Sequence, residues 1–242
     1  MNRLACLTVV SSLAGCAATP AVWRSPDPAS WTTLQQQLDS ERASRPSRPW
    51  AAGVRVTMHE PTSGRVVDGR GAIAVAPGRA VRMILVGGVG STMFDAWVTR
   101  DRWRVTVPPL DLSRRGGSEE VPDLPVGFLR WWFLSPLEGR LLAATSLSAV
   151  ESVWVLRPAG AVVELRAGRC ERGDRLVATR RVGLRTERVD ECRAPGGPRP
   201  GDTAEYRDLS SGLRVEVLVE SISVAGPDEG AFVEPTGAEG GS

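Results

Sequence analysis

The 242-residue chain contains no lysine; all 30 of its basic side chains are arginine. It has one histidine, His59, and one tyrosine. Without lysine there is no Schiff-base nucleophile, no Ser-Lys pair and no Walker-type phosphate loop. A lone histidine cannot form a metalloprotease pair, no Cys-x-x-Cys is present to bind zinc, and no Gly-x-Ser-x-Gly elbow presents a serine nucleophile. His59 stands beside Glu60 and Pro61 on the polar side of an alternating stretch, where an exposed histidine is expected rather than a catalytic base. The pairs Glu119-Glu120, Asp190-Glu191 and Asp228-Glu229 fit solvated loops or turns. No catalytic residue, metal ligand or cofactor is therefore expected, and a binding protein is favoured over an enzyme. The formal charge of +2 is close to balance and gives no reason to expect a nucleic-acid partner.

Among the features that are present, ILVGGVGSTMFDAW (residues 84–97) sets Gly87, Gly88 and Gly90 between two apolar runs. A phosphate cradle has to open a helix. Here Thr92, Phe94 and Val98 follow at strand spacing, so the glycines are expected to allow positive φ at a hairpin tip from which Val89 projects. Strand alternation runs through Val54, Val56 and Met58, then Val67 to Ala76, Ala80 to Val86, Thr92 to Val98 and Arg102 to Val107. That spacing predicts a five-strand antiparallel meander with one apolar face. Further strands are expected over 153–157, 162–166, 175–181, 185–192 and 213–224. Nine arginines lie between Arg166 and Arg193 among several acids, as expected for a solvated hairpin with cross-strand ion pairs.

Two helical regions interrupt the strands. Asp27-Pro28 offers an N-cap and an N1 proline, and Trp31, Leu34 and Leu38 share one helical face. LPVGFLRWWFLSPLEGRLLAA (124–144) reads as a short, nearly all-apolar helix ending near Leu134, then a second helix from Pro136 behind the capping box Ser135-Pro-Leu-Glu138. About 11 apolar residues cannot cross a bilayer, so the first helix is expected to cover the concave face of a curved sheet. It would bring Phe128, Trp131 and Trp132 over Val56, Met58, Met83, Leu85, Trp103 and Val105. These side chains either fill a core or line a cavity for acyl chains.

The N-terminus has a short basic start, an apolar stretch from Leu4 to Ala14, and Leu13-Ala-Gly-Cys16. This resembles a bacterial lipoprotein signal peptide; an ordinary cleaved secretory signal is the alternative. The resemblance implies cleavage before Cys16, acylation of that cysteine, and anchoring in membrane lipid. Ala17 after the cysteine implies the periplasmic face of the outer membrane. Export leaves Cys170 and Cys192 as an even pair in an oxidising compartment, where a disulfide is the default.

Together with this leader, the tip GGVGST and the segment LPVGFLRWWFLSP resemble the outer-membrane lipoprotein receptor LolB and its relatives, over about the first 145 residues. The resemblance implies a mainly β fold with α: an incomplete antiparallel β-barrel of the LolA/LolB kind, with helices covering its concave face. It further implies acylated lipoproteins as cargo, a LolA-like periplasmic carrier as donor, and Val89 as the protruding membrane-insertion residue. The expected organisation is a signal peptide (1–15), a lipidated tether (16–26), one LolB-like domain (27–225) and a C-terminal tail (226–242); a monomer is expected. A membrane-tethered structural or interaction lipoprotein with a filled barrel and no lipid cargo is the second reading, because a packed and a hollow barrel share the same alternation.

Overall fold

The computed structural model describes residues 27–61, 64–88, 90–119 and 124–235. Cys16 and Val89 lie outside the described residues. Helix α1 (Pro28–Ala43) starts as its sequence predicts, with the Asp27 carboxylate accepting the N–H groups of Ala29 and Ser30 at 3.0 Å. A cap of this kind is worth about 1 kcal/mol. Leu34 and Leu38 are buried, and the Trp154 indole N–H donates to the Leu34 carbonyl at 2.9 Å, which ties the helix to the sheet.

Two antiparallel meanders follow. The first is β1 (Trp50–His59), β2 (Val66–Ala76), β3 (Ala80–Val86), β4 (Thr92–Thr99), β5 (Trp103–Val107) and β6 (Leu112–Gly116). The second is β7 (Arg140–Ser146), β8 (Ser152–Arg157), β9 (Val162–Cys170), β10 (Gly173–Val182), β11 (Arg185–Arg193), β12 (Thr203–Asp208) and β13 (Arg214–Ile222). They merge where β1 pairs with β13, giving one 13-stranded sheet in the order β6-β5-β4-β3-β2-β1-β13-β12-β11-β10-β9-β8-β7. Its edges β6 and β7 are not bonded to each other, so the barrel is incomplete, as expected.

The chain crosses between these edges through α2 (Val126–Phe128), which continues as a π-helical segment over Leu129–Leu134. The apolar helix thus ends where the sequence places its end, with a wider bore than an α-helix. The second helix expected from Pro136 does not form. Gly139 turns the chain at φ 119°, and the residues from Arg140 pair with β8, so tertiary strand pairing overrides the local capping signal. Strands β6, β7 and β12 are not expected from alternation. At the Gly-rich tip only Gly90 has positive φ (79°); Gly87 and Gly88 do not.

Cys170 and Cys192 form a disulfide linking the end of β9 to β11 across β10. Beyond β13, Phe232 docks on Ala76 and Ala80 on the sheet's other side, and its carbonyl accepts the Trp97 indole N–H at 3.0 Å.

Candidate functional site

The inner face of the sheet has an apolar half and a polar half. On the apolar half, Val56, Met83, Leu85, Trp103 and Val105 are buried in one cluster with Phe128, Trp131 and Trp132 from the crossing segment; Met58 packs half-buried at its margin. The residues singled out from sequence therefore meet. Only one of them, Trp132, borders the open cleft described below; the others pack against one another.

The polar half was not visible in the apolar pattern. Glu187, Tyr206 and Asp208 are buried on the inward faces of β11 and β12. Tyr206 donates to Glu187 Oε1 at 2.7 Å and stacks on Phe128 with ring centroids 4.9 Å apart. Arg180 and Arg185 hold the same carboxylate at 2.9 and 3.1 Å, and Arg185 reaches Asp208 at 2.9 Å. Burial, reinforced by the Glu187 charge, pushes the Tyr206 phenol far above its ordinary range. A Cβ on Gly127 would sit 2.9 Å from Glu187 Oε1, so the crossing segment comes this close only because that position is glycine. The arginines between 166 and 193 are accordingly of two kinds. Arg175, paired bidentately with Asp190, lies on the outside as expected, whereas Arg180 and Arg185 point into the barrel.

A cleft of about 380 Å³ opens between the end of α1, the π-helical segment and the inner faces of β12 and β13. Its walls are largely apolar: Trp50, Trp132, Phe133, Leu137, Val217 and Val219. A compact ionic group closes one side. Arg45 meets Glu191 through Nη1 and Nη2 at 3.0 and 2.7 Å, and Arg193 reaches Glu41 at 2.6 Å. The Trp132 N–H donates to Glu191 at 3.3 Å while the Arg45 guanidinium lies 5.0 Å above the Trp132 ring. Arg42 donates to the carbonyls of Leu137 and Gly139, fixing the turn after the π-helix. A volume near the lower end of ordinary ligand pockets, apolar walls and a few fixed polar groups suit a slender hydrocarbon.

His59 lies on the outer face of β1, its Nε2 3.5 Å from Glu216. Among the described residues no group of three or more His, Cys, Asp or Glu could hold a metal ion. Among them, too, no helix is long and apolar enough to cross a membrane.

With this geometry in hand, comparison with solved structures defines the fold class. A LolA-superfamily protein from Nitrosomonas europaea superposes with a TM-score of 0.50 at 13% identity, covering 83% of this chain and 97% of that one. A DUF1329-family protein from Desulfovibrio piger gives 0.45 at 12% identity, over 87% and 98% of the two chains. A domain assigned to outer-membrane lipoprotein sorting in Vibrio parahaemolyticus gives 0.43 at 11% identity, over 81% and 94%. No protein-family model matches the chain, and no curated protein matches its sequence. The fold is LolA-like; nothing in the comparisons singles out LolB within that class.

Proposed function

We propose that this protein is a lipid-anchored envelope protein that accepts acyl chains and passes acylated lipoproteins to the outer membrane. Cys16 carries the anchor, and Val89 meets the bilayer at the Gly-rich tip. The cleft beside Trp132 receives a chain delivered by a LolA-like periplasmic carrier. Binding rather than catalysis is its role. The observation that carries this reading is the cleft: an apolar opening walled by Trp50, Trp132, Phe133, Leu137, Val217 and Val219 in a LolA-like fold. Each methylene buried there contributes about 0.8 kcal/mol.

The test is native mass spectrometry of the full-length chain carrying Cys16→Ser. Bound fatty acid or phospholipid is expected, and it should be lost from Val219→Arg, which sets a charge on the half-buried cleft wall while leaving the circular dichroism unchanged. A parent protein free of lipid, and unable to take up added fatty acid, refutes the reading. The packing of Val56, Met83, Leu85 and Val105 beneath the crossing segment would then favour a structural lipoprotein with a filled barrel.

A further inference from the structure

The cleft continues into a second recess. Arg100, Leu134, Ser135 and Glu138 line both. The recess, about 490 Å³, is bordered by Trp131 where the cleft is bordered by Trp132, and its chemistry is different. Among the described residues, its charged lining is Arg100, Arg130, Arg157 and Arg180 against the carboxylate of Glu138. Arg130 is fixed by donating to the carbonyls of Thr99, Ser118 and Gly117, and Arg180 by Glu187. Arg100 stands at the junction with its side chain 55% exposed. It donates to Ser135 Oγ at 3.1 Å, and its Nη1 lies 3.6 Å from Glu138.

Volume limits the number of chains. If a methylene is given the ~30 Å³ that a water takes up in the liquid, the cleft's 380 Å³ holds on the order of a dozen. The remainder of the barrel interior offers no alternative, since Val56, Met83, Leu85, Val105 and Phe128 are each at most 1% exposed. The recess also has apolar lining from Trp131, Leu134 and Val163, but its four guanidinium groups suit a charged head better than a second hydrocarbon, because their forks match the oxygens of a phosphate. Resting on the reading that the cleft holds an acyl chain, we propose that, besides the acyl chain of a lipoprotein, the site takes a second class of ligand, a single-chain amphiphile with an anionic, phosphate-bearing head. Its chain lies in the cleft and its head reaches Arg100 at the mouth of the recess.

Calorimetric titration of the full-length Cys16→Ser chain tests this with lysophosphatidic acids from octanoyl to palmitoyl, lauroylglycerol, dilauroyl phosphatidic acid and inorganic phosphate, the lipids kept below their aggregation limits. Affinity should rise about fourfold per methylene and level off near lauroyl. Lauroyl lysophosphatidic acid should bind about tenfold tighter than lauroylglycerol. Arg100→Gln should narrow that gap and Glu138→Gln should widen it. Equal affinity for the two lauroyl lipids overturns the anionic head while leaving the cleft reading intact. Undiminished gain out to palmitoyl, or dilauroyl phosphatidic acid binding as tightly as the single-chain form, overturns the one-chain limit. Inorganic phosphate binding as tightly as the lipid overturns the amphiphile. Saturable binding of none of them overturns the acyl-chain reading and this inference with it.

Discussion

Raising the pH should leave the tyrosine of this chain silent until the protein unfolds. Tyr206 is fully buried, with its hydroxyl on Glu187 and its ring on Phe128. Burial first, and then the Glu187 charge, raises its phenol well above the ordinary 10.0. Because the folded value is the higher one, the associated stability is complete below about pH 10 and is lost as the pH rises beyond it, where the unfolded chain releases a proton that the folded chain keeps. The slope is about 1.4 kcal/mol per pH unit, so about 2 kcal/mol is gone by about pH 11.5. The absence of lysine makes the experiment clean, since no side-chain amine titrates alongside, and a single tyrosine makes the tyrosinate absorbance a report on one site. That absorbance and the loss of circular dichroism should rise together at alkaline pH. Tyrosinate forming near pH 10 in a protein with native dichroism would refute the buried pairing. Tyr206→Phe should cost about 1–2 kcal/mol in urea at neutral pH, because Glu187 keeps Arg180 and Arg185, and should flatten the alkaline slope.

Reducing the Cys170–Cys192 disulfide, whose cysteines are 22 residues apart, should lower the urea stability by about 3 kcal/mol through loop-closure entropy; an unchanged midpoint under reductant would contradict this. Gly71→Ala should cost about 3 kcal/mol or more, because its Cβ would fall 1.8 Å from the Ile84 carbonyl oxygen, a backbone atom that cannot yield; near-neutral thermal unfolding would refute the close strand approach. The hydrogen bonds from Arg175 hold the Asp190 carboxyl below its usual range, so its contribution is present above about pH 4 and disappears as the pH falls through the depressed folded value. Asp190→Asn should therefore lose up to about 1 kcal/mol at neutral pH and match the parent in strong acid, a convergence that paired urea titrations would detect.

Strands whose inward residues are aliphatic announced themselves. β1 with Val54 and Val56, β5 with Trp103 and Val105, and β13 with Val215 and Val217 all alternate cleanly because one face is core and the other is wet. β12 escaped for the opposite reason: its inward residues are Ala204, Tyr206 and Asp208, facing Glu187 and Arg185, so both faces look polar in the sequence. β6 (Leu-Ser-Arg-Arg-Gly) is a short edge strand whose arginines carry no inward period. The cleft was legible only through Trp132. Beyond Phe133 and Leu137 of the same stretch of chain, its walls come from the end of α1, β1, β12 and β13, and Trp50 and Val219 meet there only because the first and last strands pair, a contact no local pattern encodes.

The pairing of β1 with β13 also governs the order of assembly. His59 lies against Arg214, so the strand at the middle of the finished sheet cannot acquire its second neighbour until nearly the whole chain is present. Before then, β1 is a bare edge bearing Val54 and Val56, open to the wrong partner, and closing the gap costs the loop entropy of more than half the chain. Folding dominated by such a contact is slow and exposed to aggregation. A chain truncated before Arg214 should therefore remain unfolded even though twelve of its strands are present, and the final strand acts as the keystone of the barrel.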